Sequence, residues 1–140
     1  MKYIAGIDPG TNTGYALWEP AAKRMHEVST LGIIDAMEKV KALRDAGDLK
    51  MIVIEDARLR SWFGDSGRER LLGAGSVRRD CGIWTEFAER HQIPLKSISP
   101  QQKGRKIDKD TFAKITGWAG RTSEHGRDAG VLAMLGDGRR

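Results

Sequence analysis

One short segment, Leu49–Glu55, constrains the fold of this chain more than any other. Residues 52–54 are consecutive apolar residues rich in β-branched side chains, which is typical of a central strand covered on both faces. The preceding segment, residues 34–46, carries apolar residues at helical spacing, and Gly47 is a natural stop after it. Because a helix leads into this strand, a parallel crossover connection is expected. The sequence therefore predicts parallel strands with helices on the faces of their sheet.

Further apolar runs and turn signals predict the remaining elements. The other predicted strands are residues 3–8, 15–18, 25–33 and 95–98. Residues 58–75 are predicted as a loop that runs into a helix, and the later helices are predicted at residues 77–91, 108–116 and 123–135. This order indicates an α/β fold with a five-stranded mixed sheet flanked by helices. No linker rich in Pro, Gly or Ser interrupts residues 1–140, so a single domain is expected.

Length and composition narrow the class of protein. A chain of 140 residues is expected to bury about 68% of its unfolded surface, which suffices for one core. No apolar run approaches about 18 residues, so no membrane span is expected, and Asp8 interrupts the stretch that a signal peptide would need. A cytoplasmic protein is therefore expected. The single cysteine, Cys81, excludes an intrachain disulfide framework and a cysteine-rich zinc site.

Positive charge is concentrated in two segments. The net charge is +5, from 24 Lys and Arg against 19 Asp and Glu. Residues 58–79 hold six arginines and two acidic residues, and residues 96–109 hold five basic residues and one acidic residue. A surface that follows a phosphate backbone needs localised charge of this kind, so a polyanionic partner is indicated. An ordinary solvated basic surface is the alternative, and on net charge alone it is nearly as common.

Four chemically active side chains are predicted to meet at one edge of the sheet. Asp8 ends the first strand and Glu55 ends the central strand, while His125 and Asp128 share one face of the last helix. If the two strands are adjacent and parallel, both carboxylates emerge at the same edge, and a helix docked there adds the other two side chains. Their mutual repulsion requires cations, and Mg²⁺ and Mn²⁺ prefer carboxylate oxygens. Two such ions, about 3.5–4 Å apart, are the arrangement that cleaves phosphodiesters.

Each of these residues alone has an ordinary structural explanation. Asp8 could belong only to a turn, Glu55 could be a salt-bridge partner, and acidic residues at a helix N-terminus favour the helix dipole. Asp56 and Glu124 are neighbouring acids that we do not expect in the site. The joint occurrence of the four residues at matching ends of three segments favours the catalytic interpretation.

Five parts of the sequence resemble one known family, in the right order and over nearly the whole chain. They are residues 4–10 (IAGIDPG), 13–15 (TGY), 52–55 (IVIE), 97–109 and 125–133 (HGRDAGVLA). With these motifs the chain resembles the RuvC family of Holliday-junction resolvases. The resemblance implies a ribonuclease-H-like fold, and the short chain is similar to phage-type members. It also implies a bacterial cell or a phage-infected host cell as the place of action.

The resemblance further implies an activity. A homodimer would resolve four-way DNA junctions by paired symmetric nicks near the branch point, leaving 5′-phosphate and 3′-hydroxyl ends. Two Mg²⁺ ions per active site are implied, for which Mn²⁺ can substitute, and no small-molecule cofactor. We assign Asp8 as the ligand that bridges both metals, Glu55 as a ligand of one and Asp128 as a ligand of the other. His125 completes the site as a ligand or by orienting the attacking water.

Contacts to branched DNA are predicted from the two basic segments. Lys103 and Lys109 occupy places similar to those of the family's DNA-contacting lysines, and Arg105 and Lys106 are predicted phosphate contacts beside them. The other predicted DNA-binding residues are Arg58, Arg60, Trp62 and Phe63. The two aromatic residues are candidates to stack on an unpaired base at the branch point, with core packing under the loop as an equal alternative. The family's aromatic wedge lies closer to the strand glutamate than Trp62 and Phe63 do here. The sequence therefore predicts neither the preferred cleavage sequence nor how strictly the protein selects four-way junctions.

The predicted helix at residues 77–91 carries two apolar faces. One consists of Val77, Cys81, Trp84 and Ala88, and the other of Ile83 and Phe87. One face can pack on the sheet, and the other would be exposed in a monomer, which indicates a dimer interface. A helix buried on both sides by its own loops is the alternative.

Other functions compete with junction resolution. Sugar-kinase and actin-like ATPases share the opening residues 6–11, but they need a second phosphate loop and a far longer chain. A junction-binding scaffold without catalysis is disfavoured because uncompensated acids would weaken DNA binding. The serious alternative is a nuclease of the same fold that acts on flaps or other branched replication intermediates with relaxed specificity.

Overall fold

A five-stranded sheet forms the centre of the protein in the computed structural model, which describes residues 1–59 and 68–138. The strands are β1 (Tyr3–Asp8), β2 (Asn12–Glu19), β3 (Arg24–Gly32), β4 (Leu49–Glu55) and β5 (Leu95–Ile98). Their order in the sheet is β3-β2-β1-β4-β5. β1, β2 and β3 form an antiparallel meander, whereas β4 pairs in parallel with both β1 and β5. The predicted five-stranded mixed sheet is therefore confirmed.

Helices cover both faces of this sheet. They are α1 (Ile33–Asp45), α2 (Arg68–Arg90), α3 (Pro100–Lys103), α4 (Lys109–Thr116) and α5 (Glu124–Gly136), and a 3-10 turn spans Ala57–Leu59. α2 begins well before residue 77, so part of the segment predicted as a loop is helical. α3 has no counterpart in the sequence-based prediction. Within the described part of the chain, no helix is both long enough and apolar enough to cross a membrane.

Local sequence explains why α3 forms. The Ser99 side chain accepts a hydrogen bond from the Gln102 backbone N–H at 3.1 Å, and the Gln102 side chain accepts one from the Ser99 backbone N–H at 2.9 Å. This reciprocal capping box, with Pro100 in the first turn, is a sequence signal for a helix start. Gly104 ends the helix at a positive φ of 82°, which glycine adopts without strain. The turn thereby fixes the backbone of Lys103.

The sheet buries apolar side chains on both faces, with β1 and β4 at its centre. On one face, Ile52 and Ile54 belong to the same core cluster as Trp84 of α2. On the other face, Val53 belongs to a second core cluster with Leu132 of α5. The consecutive apolar residues of β4 therefore reflect a strand covered on both sides, as the sequence predicts.

Two glycines allow α5 to approach the sheet closely. A Cβ atom on Gly6 would lie 1.9 Å from the Ala129 carbonyl oxygen, and one on Gly14 would lie 2.1 Å from the His125 carbonyl oxygen. Non-bonded atoms do not approach so closely, so only glycine fits at these two positions while α5 stays in place. The start of α5 therefore lies next to the end of β1, where Asp8 pairs with Gly14 of β2.

Candidate active site

Asp8 and Glu55 meet at one edge of the sheet because β1 and β4 are parallel neighbours. Ile7 pairs with Ile54, and each acidic residue follows its strand's isoleucine by one position. Both isoleucines belong to the core cluster on the side of α1 and α2. Since side chains alternate along a strand, Asp8 and Glu55 face the opposite side, where α5 lies.

The first turns of α5 bring His125 and Asp128 to the same place. Ser123 caps the helix, because its Oγ accepts a hydrogen bond from the Gly126 backbone N–H at 3.0 Å. The His125 Nδ1 atom lies 2.9 Å from the Asp8 Oδ2 atom, and Asp128 is buried. Three segments that are distant in the sequence therefore contribute to one acidic cluster, defined as Asp8, Glu55, His125 and Asp128.

A buried lysine stands among these carboxylates. The Lys103 Nζ atom lies 3.2 Å from Glu55 Oε2 and 3.2 Å from Asp128 Oδ1, and the Lys103 side chain is 7% exposed. Lys103 was predicted as a phosphate contact, but in this structure its side chain lies inside the cleft and its ammonium is paired with two carboxylates. α3 holds the lysine backbone beside the cleft, and the two carboxylates attract its ammonium inward. The sequence carries no signal for this, because the same spacing suits an exposed lysine.

Burial and mutual repulsion make the acidic cluster unfavourable when it is fully charged. Burial raises the pKa of the Asp8 carboxyl, and the charges of Asp128 and Glu55 raise it further, whereas the hydrogen bond with His125 opposes the rise. Burial alone would lower the pKa of Lys103, but the Glu55 and Asp128 carboxylates outweigh it and raise this pKa. The cluster therefore favours bound cations.

The raised pKa of Asp8 predicts how the stability of the metal-free protein depends on pH. The usual pKa of the group is 3.8, and the folded state holds this proton more tightly than the unfolded state. As the pH rises from that value through the raised pKa, the unfolded state loses the proton first, so the folded state loses stability. We expect wild type to lose stability relative to Asp8→Asn across this window in thermal unfolding. An equal pH dependence of the two proteins would contradict the burial of this charge.

The donor set of the cluster is rich in oxygen and suits Mg²⁺ or Mn²⁺. Within residues 1–59 and 68–138, no three His, Cys, Asp or Glu side chains already form a group that could hold a metal ion. However, Glu55 and Asp128 already bind one cation together, because the Lys103 Nζ atom lies 3.2 Å from an oxygen of each. The residues therefore fit a divalent cation by their chemistry, and their side chains must rearrange to admit one.

Arg58, a predicted DNA contact, is engaged by the protein itself. Its Nε and Nη2 atoms donate to the two carboxylate oxygens of Asp56 at 2.9 and 2.7 Å, and Nη2 also donates to Thr85 Oγ1 at 2.9 Å. Burial alone would raise the pKa of Asp56, but the Arg58 hydrogen bonds outweigh it and lower this pKa. Asp56 therefore pairs with Arg58 and is not counted in the acidic cluster. Arg58, which was predicted to contact DNA, binds Asp56 in this structure.

The other predicted DNA-binding residues fall into two groups. Arg105, Lys106 and Lys109 are exposed in the segment that follows α3. Lys106 forms an ion pair with Glu124, and its Nζ lies 4.0 Å from Asp128 Oδ2, so this segment borders the acidic cluster. Arg60, Trp62 and Phe63 lie outside the described part of the chain.

The two apolar faces predicted for residues 77–91 are unequally covered. Cys81, Trp84 and Ala88 of α2 are buried, and Phe87 packs partly against the same core. Ile83 is 38% exposed. The outer apolar face is therefore narrower than predicted, because Phe87 belongs to the inner one.

Comparison with solved structures finds this arrangement of strands and helices in RuvC. The match is a structure described as T. thermophilus RuvC in complex with Holliday junction substrate, with a TM-score of 0.64 and 19% sequence identity. It covers 96% of this chain and 92% of that chain. The chain has a RuvC-like fold. The expected resemblance to RuvC and the ribonuclease-H-like fold class are thereby confirmed.

A second similar structure is the large terminase nuclease from thermophilic phage G20c. It has a TM-score of 0.41 and 16% identity, and the match covers 95% of this chain and 81% of that chain. No protein-family model matches the sequence, and no curated protein matches it. At 19% identity the likeness to the RuvC structure concerns the fold, so the function must be argued from the site.

Proposed function

We propose that this protein is a divalent-metal-dependent endodeoxyribonuclease that resolves four-way DNA junctions, with residues 1–140 acting as one nuclease domain in the cytoplasm. The observation that carries the proposal is the convergence of Asp8, Glu55, His125 and Asp128 at one edge of a RuvC-like fold. The similar RuvC structure contains a Holliday junction, which supports branched DNA as the substrate. The expected products are paired nicks with 5′-phosphate and 3′-hydroxyl ends.

The residues of the acidic cluster have distinct proposed roles. Two Mg²⁺ ions, when bound, supply Lewis-acid stabilisation of the phosphate and a more acidic water. Asp8 would bridge the two ions, Glu55 would hold one and Asp128 the other. His125, whose Nδ1 contacts Asp8, would complete the site as a ligand or orient the attacking water.

Exposed basic residues beside the acidic cluster are proposed to contact the DNA. Arg105, Lys106 and Lys109 follow α3 and are exposed, and the Lys106 ammonium lies 4.0 Å from Asp128. Such cations position phosphates without reading the base sequence. They also offset the repulsion between the carboxylates and the DNA backbone, so that a phosphate can approach the cleft.

Cleavage is expected to require Mg²⁺ or Mn²⁺. The test compares a labelled four-way junction with a flap, a duplex and an RNA–DNA hybrid, each in Mg²⁺, Mn²⁺, Ca²⁺ or EDTA. We expect paired nicks in the junction with Mg²⁺ or Mn²⁺, and binding with little cleavage in Ca²⁺, whose loose coordination misplaces the water. Full cleavage in EDTA would refute the metal mechanism. Preferred cleavage of the flap would indicate the same-fold nuclease of relaxed specificity instead.

We also propose a homodimer, because a four-way junction has two-fold symmetry and its resolution needs two opposed nicks. α2 presents the exposed Ile83 on its outer face, away from the residues that pack on the sheet. A two-fold contact along this helix would place one acidic cluster near each strand to be cut.

Ile83→Glu is expected to produce a soluble monomer that loses paired nicking, because the charge would lie in the proposed interface while the core stays intact. Sedimentation velocity and nicking of a cruciform plasmid measure the two effects. Ile34→Glu, at an isoleucine of α1 that is 67% exposed, is the matched control and should remain dimeric. Wild type that sediments as a monomer at micromolar concentration, yet nicks both strands in one binding event, would defeat the dimer proposal.

A further inference from the structure

Lys103 is the one buried lysine among the described residues. Its Nζ atom is equally distant, at 3.2 Å, from an oxygen of Glu55 on β4 and an oxygen of Asp128 on α5. These two carboxylates belong to different elements, and the ammonium bridges them. Lys103 therefore partly offsets the negative charge of Glu55 and Asp128.

The backbone of Lys103 is held in place independently of these ion pairs. The Lys103 N–H donates to the Ser99 carbonyl oxygen at 3.1 Å, and the capping box of Ser99 and Gln102 stabilises the turn. Only the flexible side chain must therefore move to take the ammonium out of the cleft. The next lysine, Lys106, differs, because its side chain is 62% exposed and its Nζ is 4.0 Å from Asp128.

A divalent cation and the Lys103 ammonium compete for the same oxygens. Asp128 is buried and Glu55 is half-buried, so the two carboxylates are unfavourable side by side without a counter-ion, and we expect one cation or the other between them. The two cannot share Glu55 and Asp128 at short range, because like charges repel strongly in a poorly solvated cleft.

We propose that Lys103 is the resident counter-ion of the metal-free site, and that metal binding displaces its ammonium from Glu55 and Asp128 toward solvent. The proposal rests on the metal-dependent nuclease function proposed above. Lys103 is thereby a positioning residue that holds Glu55 and Asp128 together until a metal ion binds. Removing the Lys103 ammonium should lower the melting temperature of the metal-free protein and raise its affinity for metal. Loss of a metal ligand would instead lower that affinity.

The first test measures Mg²⁺ and Mn²⁺ binding by calorimetry, and thermal unfolding with and without metal, for wild type and Lys103→Gln. We expect Lys103→Gln to melt lower than wild type without metal and to bind metal at least about tenfold more tightly, because no ammonium must be displaced. Lys109→Gln removes the same charge from an exposed position and is the matched control. It should leave the metal affinity and the melting temperature nearly unchanged.

The second test uses wild type and so does not depend on the folding of a variant. Lysines are acetylated with an N-hydroxysuccinimide ester, and modification at each position is measured by mass spectrometry with and without Mn²⁺. Lys103 should be protected without metal and become severalfold more reactive with metal, whereas Lys109 should react equally in both conditions.

The outcomes separate this inference from the proposed function. Metal binding that leaves Lys103 acetylation unchanged, or a Lys103→Gln affinity equal to or weaker than that of wild type, would overturn the counter-ion role alone. Metal binding to neither protein would overturn the metal-dependent function and this inference with it. Increased Lys103 acetylation together with tighter binding by the variant would establish the exchange.

Discussion

Asp8→Asn should lower DNA cleavage by at least about 10³-fold while junction binding is retained or becomes stronger. Asp8 is the residue assigned to both metal ions, and its carboxylate contacts His125 at 2.9 Å. A loss of about 4 kcal/mol of transition-state stabilisation corresponds to this factor. The amide keeps the shape of the side chain and removes a negative charge that repels the DNA backbone. Single-turnover cleavage of a labelled junction and a binding titration in Ca²⁺ measure the two effects.

Glu124→Gln is the matched control for this prediction. Glu124 precedes His125 and forms an exposed ion pair with Lys106, outside the acidic cluster. Exposed ion pairs contribute little, so cleavage should stay within about threefold of wild type. Cleavage by Asp8→Asn at the wild-type rate in Mg²⁺ would show that the acidic cluster is not the active site.

Gly6→Ala is expected to destabilise the protein by about 3 kcal/mol or more, at the upper end of the range for overpacked cores. The added Cβ would lie 1.9 Å from the Ala129 carbonyl oxygen and 2.8 Å from the Ala133 backbone nitrogen. Both are backbone atoms of α5, so no side-chain rotation relieves the clash and the helix must shift. Because α5 carries Asp128, the remaining folded protein should also lose cleavage. Urea unfolding and cleavage of a junction measure the two effects.

Gly75→Ala is the control, and it is expected to stabilise the protein rather than destabilise it. Gly75 lies within α2, and nothing surrounds the position of its Cβ within 4 Å. Replacing a glycine inside a helix by alanine typically stabilises by about 0.5–1 kcal/mol. If Gly6→Ala unfolds at the same urea concentration as wild type, this result would contradict the close packing of α5 on β1.

The strands and the main helices were predictable because their apolar patterns repeat over enough residues. The run at 52–54 indicates a buried central strand, and β4 is covered on both faces. The start of α2 was not predictable in the same way, since its first residues, 68–75, carry two glycines and many charges that are also typical of a loop. α3 is a single turn without periodicity, although the capping box at Ser99 could have indicated it.

The candidate site was predictable only in part. Asp8 and Glu55 end strands, and strand ends in a parallel pair lie at one edge, so their meeting follows from the topology. The place of Lys103 depends on the depth to which a flexible side chain enters the cleft, which no local pattern encodes. The partner of Arg58 was not predictable for a similar reason. Asp56 pairs with Arg58, but in the sequence it adjoins Glu55 and carries a carboxylate like the acids of the cluster.

The order of the elements along the chain also has a consequence for how the protein is made. β1 and β4 supply Asp8 and Glu55, whereas His125 and Asp128 reside on α5, the last helix among the described residues. A nascent polypeptide that has emerged only as far as α4 holds half of the acidic cluster and lacks the helix that packs over Gly6 and Gly14. For the nuclease proposed above, a chain released before α5 lacks His125 and Asp128 and therefore cannot assemble the candidate active site.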